Sequence, residues 1–215
     1  TSIYKVDTRT GNRQEIEQTK DSASFMFDHS GRARLKITSD DNDDPVLAYR
    51  PDAGSEWKPV PKSLAGYSMT LLHVEPDNNT GYATITDKGE PAQLYRIDLA
   101  KGTRVRLAGR DQESIAGILY AGHDGPPFGV IYDEAKPSVQ YLDPSSEWAK
   151  LHAGLLKAVP GQMVSFLDWT QDDGKVLFKA WGDRNPGAYY ILDRKADNRV
   201  QLVNESMPWM KATAL

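Results

Sequence analysis

The chain has 215 residues and no cysteine, so disulfides, thiolate nucleophiles and cysteine-bound metals are excluded. No window approaches the roughly 18 apolar residues of a membrane-spanning helix, and Thr1 is not followed by the basic and apolar regions of an uncleaved signal. There is no basic excess either. Lys and Arg number 26 against 30 Asp and Glu, for a net charge of −4 spread evenly, which argues against a nucleic-acid partner. Neither G-x-x-x-x-G-K-[ST] nor G-x-G-x-x-G occurs, so no phosphate cradle is expected. The string nearest to a nucleophile elbow, Gly66-Tyr67-Ser68-Met69-Thr70, lacks the second glycine. The four histidines, His29, His73, His123 and His152, are too scattered for two to share ligand spacing on one element. No catalytic residue, cofactor or metal is therefore expected in this chain.

What is present is short apolar runs divided by polar turns. Phe166 to Val203 holds four such runs, FLDW, KVLFKAW, AYYILD and RVQLV, with breaks at Asp172-Asp173-Gly174, Gly182 to Gly187 and Arg194 to Asn198. The runs carry the β-branched and aromatic residues that suit a pleated surface, and the breaks carry turn-forming Gly, Pro, Asn and Asp. This reads as one four-stranded antiparallel unit.

The unit recurs. A turn Gly follows the first strand at Gly31, Gly81, Gly125 and Gly174, and a Pro breaks the chain between second and third strands at Pro45, Pro91, Pro137 and Pro186. The third strand ends at Asp7, Pro51, Asp98, Asp143 and Asp193. All three landmarks keep a period of about 44 to 50 residues, the blade length of a β-propeller rather than the shorter period of a helical solenoid. The fold class is all-β, a propeller fragment of about four and a half four-stranded blades with one short helix. The expected boundaries are a half-blade at 1–20 and blades at about 24–62, 69–109, 115–160 and 163–204. The half-blade implies that the chain starts in mid-blade.

Taken in order, Tyr4 to Ile16 supplies only third and fourth strands, joined through Thr10-Gly11-Asn12. The acidic run Asp40 to Asp44 suggests calcium, but the EF-hand pattern counted from Asp40 puts Pro45 and Pro51 where Gly and Glu are needed, so a solvated loop is preferred. Asn78-Asn79-Thr80 and Asn204-Glu205-Ser206 match a glycosylation sequon and are read as ordinary turn residues. His29 and His123 occupy equivalent repeat positions and are read as structural. After Asp143 the repeat departs. Ser145 or Ser146 can cap a helix with Trp148, Leu151, Leu155 and Leu156 on one stripe, ended by Pro160-Gly161, so a helix near 146–158 replaces or follows the outer strand. The tail, MPWMKATAL, reads as an apolar segment against the last blade.

The order YLDPSSEWAKLHAGLLKAVPG, then Phe166 to Val203, then MPWM resembles the end of the propeller of prolyl oligopeptidase-family serine peptidases. It is most similar to the bacterial dipeptidyl aminopeptidase and acylaminoacyl-peptidase branch. The resemblance covers about a third of the chain in motif and all of it in architecture. It implies a non-catalytic propeller that gates peptide substrates, partnered by a C-terminal hydrolase domain missing from this sequence. The glutamates that bind a substrate amino terminus in some members have no counterpart here. The loop implied to face the hydrolase is Asp183, Arg184 and Asn185, and self-association through an open propeller edge is expected of the piece alone. The competing reading is a free-standing interaction module of the periplasmic Tol-associated type. Compartment, periplasmic or cytoplasmic, is left open.

Overall fold

The computed structural model describes residues 1–28, 30–52, 54–133 and 136–210. The chain divides into two compact units, Thr1–Ser114 and Ile115–Leu215.

In the first unit, β1 (Ser2–Val6) pairs antiparallel with β2 (Arg13–Gln18) as a two-stranded sheet. A four-stranded sheet follows, made of β3 (Ser24–Phe27), β4 (Ala33–Ser39), β5 (Pro45–Tyr49) and β6 (Lys58–Pro59) in sequence order. After the single turn α1 (Lys62–Ala65), β7 (Ser68–Val74), β8 (Thr80–Thr86), β9 (Gln93–Asp98) and β10 (Thr103–Ala108) form a second four-stranded sheet, again in sequence order. Alternating residues aim inward. Leu35 and Leu47 of one sheet meet Met69, Leu71, Ala83, Ile85 and Ile97 of the other, a sheet-on-sheet core closed by Leu64 of α1.

In the second unit, β11 (Gly117–Tyr120), β12 (Pro127–Tyr132) and β13 (Ser138–Tyr141) form a three-stranded sheet, and β14 (Met163–Trp169), β15 (Lys175–Gly182), β16 (Asn185–Asp193) and β17 (Arg199–Glu205) a four-stranded one. Between them in sequence comes α2 (Glu147–Ala158), whose cap Ser146 accepts from Ala149 N. One end of the helix places Ala149 among Leu119, Phe128 and Met163, and the other places Leu155 among Val164, Val176, Phe178 and Leu192. The helix is therefore packed between two sheets, which explains why it stands where the repeat would put an outer strand. Burying side chains such as Phe178 and Leu192 stabilises this wedge by about 1.5–3 kcal/mol each.

These meandering sheets, each with sequence neighbours side by side, make the chain a β-propeller fragment with a short helix. Four expectations change in detail. The blade at 115–160 has three strands, not four, because α2 takes the fourth place. The break expected from Gly182 to Gly187 shrinks to the two residues Asp183 and Arg184, since Gly182 pairs with Asn185 across the hairpin. The first-turn glycines are not equivalent: the left-handed residues of these turns are Gly31, Asn78, Gly122 and Asp173, while Gly81 lies inside β8. Finally, Met207, Trp209 and Met210 are exposed, Trp209 by 76%, so the described part of the tail does not lie against the last blade. Residues 211–215 fall outside the described residues.

Candidate interface site

The aspartates that mark the repeat serve its turns. Asp7 Oδ1 accepts from Arg9 N (2.8 Å) and Thr10 N (3.1 Å), Asp98 from Lys101 N (2.9 Å), Asp143 from Ser145 N (2.8 Å) and Asp193 from Lys195 N and Ala196 N (both 3.1 Å). In the remaining blade the part is played by Asp52, not Pro51, whose Oδ1 accepts from Gly54 N (2.9 Å). Each carboxylate satisfies the amides that open the connection leaving the third strand, to the fourth strand or, at Asp143, to α2, an Asx turn. The pKa falls below the usual carboxylate range at Asp7 and Asp98 chiefly through the backbone amides of Arg9 and Lys101. At Asp52 and Asp143 it falls chiefly through the hydroxyls of Ser55 and Ser145. Asp40 is engaged likewise by Asn42 N (2.8 Å) and Asp44 N (3.1 Å). These carboxylates are turn-forming groups.

The histidines are equally dispersed. His152 is fully buried, with Nε2 against Val164 O at 2.9 Å and Nδ1 against the Tyr141 hydroxyl at 2.8 Å. His123 is exposed, and its backbone N–H donates to Asp173 Oδ1 at 2.7 Å. His73 lies 3.8 Å from Glu75. His29, the proposed equivalent of His123, lies outside the described residues.

The β15–β16 hairpin presents charges that make no ion pair among the described residues. Asn185 is tied down: its Nδ2 donates to Gln162 Oε1 (3.0 Å) and its Oδ1 accepts from Gly187 N (2.9 Å). Gly187 has φ +110°, and a Cβ there would stand 2.3 Å from Lys179 Cε and 3.2 Å from Ala180 O, so the turn requires glycine. Trp181 is fixed by donating from Nε1 to Ser165 Oγ (3.1 Å). On this rigid base Asp183 and Arg184 are exposed and engage no ion pair among the described residues. Beside them opens a cleft of about 580 Å³, with Met163 and Trp181 as apolar wall, Gln162 as polar wall, and Lys136 and Asp183 as charges of opposite sign. The structure thus brings Asp183 together with Lys136-Pro137, the corresponding connection of the preceding blade, while Arg184 does not line the cleft. Sequence reasoning missed Gln162, because Pro160-Gly161 reads only as a helix exit. The signal was the amide-bearing Asn185 before Pro186, which needs a fixed partner to hold a proline-containing strand start.

Among the described residues the arrangement presents exposed charges of both signs beside an apolar wall. No protein-family model matches the sequence, and no curated protein matches it. Among solved structures, a TolB-like protein of Agrobacterium tumefaciens matches with a TM-score of 0.51 at 14% identity, over 94% of this chain and 73% of its own. A prolyl endopeptidase, one of two studied for the role of inter-domain dynamics in catalysis and specificity, matches with a TM-score of 0.53 at 15% identity, over 91% of this chain and 28% of its own. At such identities the likeness is one of fold. The chain has propeller architecture and spans little more than a quarter of the peptidase.

Proposed function

We propose that this chain is the non-catalytic propeller of a bacterial serine peptidase of the prolyl oligopeptidase type, from the dipeptidyl aminopeptidase and acylaminoacyl-peptidase branch. It gates peptide access to a hydrolase domain. The observation that carries the reading is the β15–β16 hairpin, whose Asp183 and Arg184, exposed and without an ion pair among the described residues, stand on a base fixed by Asn185 and Gly187 next to a cleft. Fixed loops with unsatisfied charges suit a partner domain that supplies the counter-charges. Chemistry would belong to that domain, since without an elbow serine and its base no acyl-enzyme can form. The test is to express the full reading frame and measure hydrolysis of chromogenic peptide substrates. A frame that continues past Leu215 into G-x-S-x-G, with activity and thermal stability that respond to Arg184→Ala, supports the reading. A responsive frame without peptidase activity removes it, and an unresponsive Arg184 removes the interface role.

A second reading has one observation in its favour. The match spans 73% of the TolB-like chain but only 28% of the endopeptidase, the proportions expected of a free-standing interaction module. A stop codon directly after Leu215 would favour that module.

A further inference from the structure

Every four-stranded sheet of this chain carries an outermost strand, β6, β10 or β17, hydrogen-bonded to its third strand. The sheet β11–β12–β13 ends at its third strand. Leu142 N donates to Phe128 O at 2.9 Å, so by the antiparallel alternation the pairs Gln140·Val130 and Ser138·Tyr132 carry the ladder bonds on that side. Val139 and Tyr141 then turn their N–H and C=O groups away from β12, and no hydrogen bond to either backbone is made among the described residues. The helix that displaced the fourth strand does not supply those bonds. It covers the face of the sheet, with Ala149 against Phe128 and His152 against the Tyr141 ring, and its own backbone groups are spent within it. Gln140, between the two open positions, is exposed.

We propose that the β13 edge is a β-augmentation site, where an extended segment of a partner protein adds antiparallel as the missing fourth strand. Alternate backbone donors and acceptors at the spacing of a strand are matched only by another strand. The side-chain pattern of the occupant follows from the faces. Val139 and Tyr141 border the apolar cluster around Phe128, so residues opposite them are apolar, whereas the residue opposite Gln140 is polar. The two longest outer strands of the chain show that pattern: β10 reads Arg104-Val105-Arg106-Leu107 and β17 reads Arg199-Val200-Gln201-Leu202. In β17, Val200 and Leu202 stand opposite Leu192 and Tyr190, the core-facing residues of its third strand, and Gln201 stands opposite Ile191 between them, the arrangement an occupant would have against Tyr141, Gln140 and Val139. A segment of the type Arg-Val-x-Leu is the occupant this edge fits. The surface is separate from the β15–β16 hairpin and does not depend on the peptidase reading.

The probe is a fluorescent peptide with the β10 sequence, Thr103–Ala108, titrated into the full 215-residue chain, with amide hydrogen exchange read in parallel. Saturable binding is expected, with exchange of the Val139 and Tyr141 amides slowed by the peptide. N-methylation of alternate peptide residues should weaken binding about tenfold or more in one phase and leave it unchanged in the other, because only one set of amides faces β13. Equal loss in both phases, or binding without protection of Val139 and Tyr141, would overturn the proposal. So would protection of those amides in the free chain that rises with its own concentration, since a second copy would then be the occupant.

Discussion

The hydroxyl of Tyr141, on β13, donates to Nδ1 of His152, on α2, at 2.8 Å, and the opposite ring nitrogen donates to the Val164 carbonyl of β14 at 2.9 Å. One neutral imidazole thus links both sheets of the second unit through the helix between them. It does so inside a ring cluster, with Phe166 at 5.2 Å and Phe128 at 6.1 Å between centroids. Burial also raises the Tyr141 pKa, to about 12, which keeps the hydroxyl a donor.

The first prediction follows from that neutrality. Burial lowers the His152 pKa below its free value of 6.5, and the contact with Val164 O works the other way without cancelling it. The unfolded chain therefore takes up a proton before the folded one does as pH falls. Stability is level above about pH 6.5 and declines below it, by at most about 1.4 kcal/mol per pH unit from this group, until the folded pKa is passed. Urea unfolding followed by tryptophan fluorescence between pH 7.5 and 5 should show the decline, and His152→Gln should flatten it. The carboxylates of the turns lose their contribution only at lower pH, because their pKa values are depressed.

A second prediction concerns Arg34, which is 0% exposed. Its Nε donates to Arg50 O at 2.8 Å, one terminal nitrogen to Asp28 Oδ2 at 3.3 Å, and the other to Asn78 O in the β7–β8 turn. Arg34→Met keeps much of the volume but leaves two carbonyls without this donor and takes away one of the two arginines that pair with the buried Asp28 carboxylate, which keeps Arg32 Nε at 3.0 Å. A loss of about 3–5 kcal/mol is expected, and Arg34→Lys should rescue little because a point ammonium cannot reach three divergent acceptors. Chemical denaturation of the two variants checks both halves of the claim.

Gly187→Ala is the third. At φ +110° the added methyl meets Lys179 Cε, which can move, and Ala180 O, which cannot. A cost of about 1–3 kcal/mol is expected, measured by denaturation, with Asn185 and the hairpin tip displaced. If the cleft beside the hairpin is where a partner domain seats, this variant weakens the partner's binding without touching Asp183 or Arg184.

The repeat was legible in the sequence because turn chemistry is local. Asp7, Asp98, Asp143 and Asp193 cap their own neighbours, so their spacing survives translation into structure, and the helix announced itself through Ser146 and its apolar stripe. The first-turn landmark misled because left-handed backbone is adopted by Asn78 and Asp173 as well as by Gly31, so the glycine nearby need not be the turn residue. The site was only half legible. Asp183 and Arg184 stand out as charges in a turn, but Gln162 and Lys136 reach the same cleft from other connections, and such juxtaposition leaves no trace in local spacing.

The last prediction is that the chain self-associates. All seven residues of β17 are exposed, the strand pairs only with β16 among the described residues, and its interior, Val200 to Asn204, has no proline and no charge to blunt the edge. Val200 and Leu202 stand opposite Leu192 and Tyr190 on the face that continues into the α2 core, yet are 44% and 51% exposed, and Met207 and Trp209 extend the apolar surface beyond them. In the other unit the two-stranded sheet β1–β2 pairs with no further strand among the described residues. Pairing of β17 edges satisfies backbone groups and covers apolar surface at once, so light scattering should give an average mass that rises with concentration. Replacing Val200 and Leu202 together by Lys places charge on the edge and should return the chain to a monomer while leaving its circular dichroism spectrum unchanged, since neither side chain belongs to the buried core. A mass that stays monomeric at the highest concentration for the unmodified chain would refute the prediction. A mass that rises equally in the double variant would move the contact away from β17, to the β1–β2 edge.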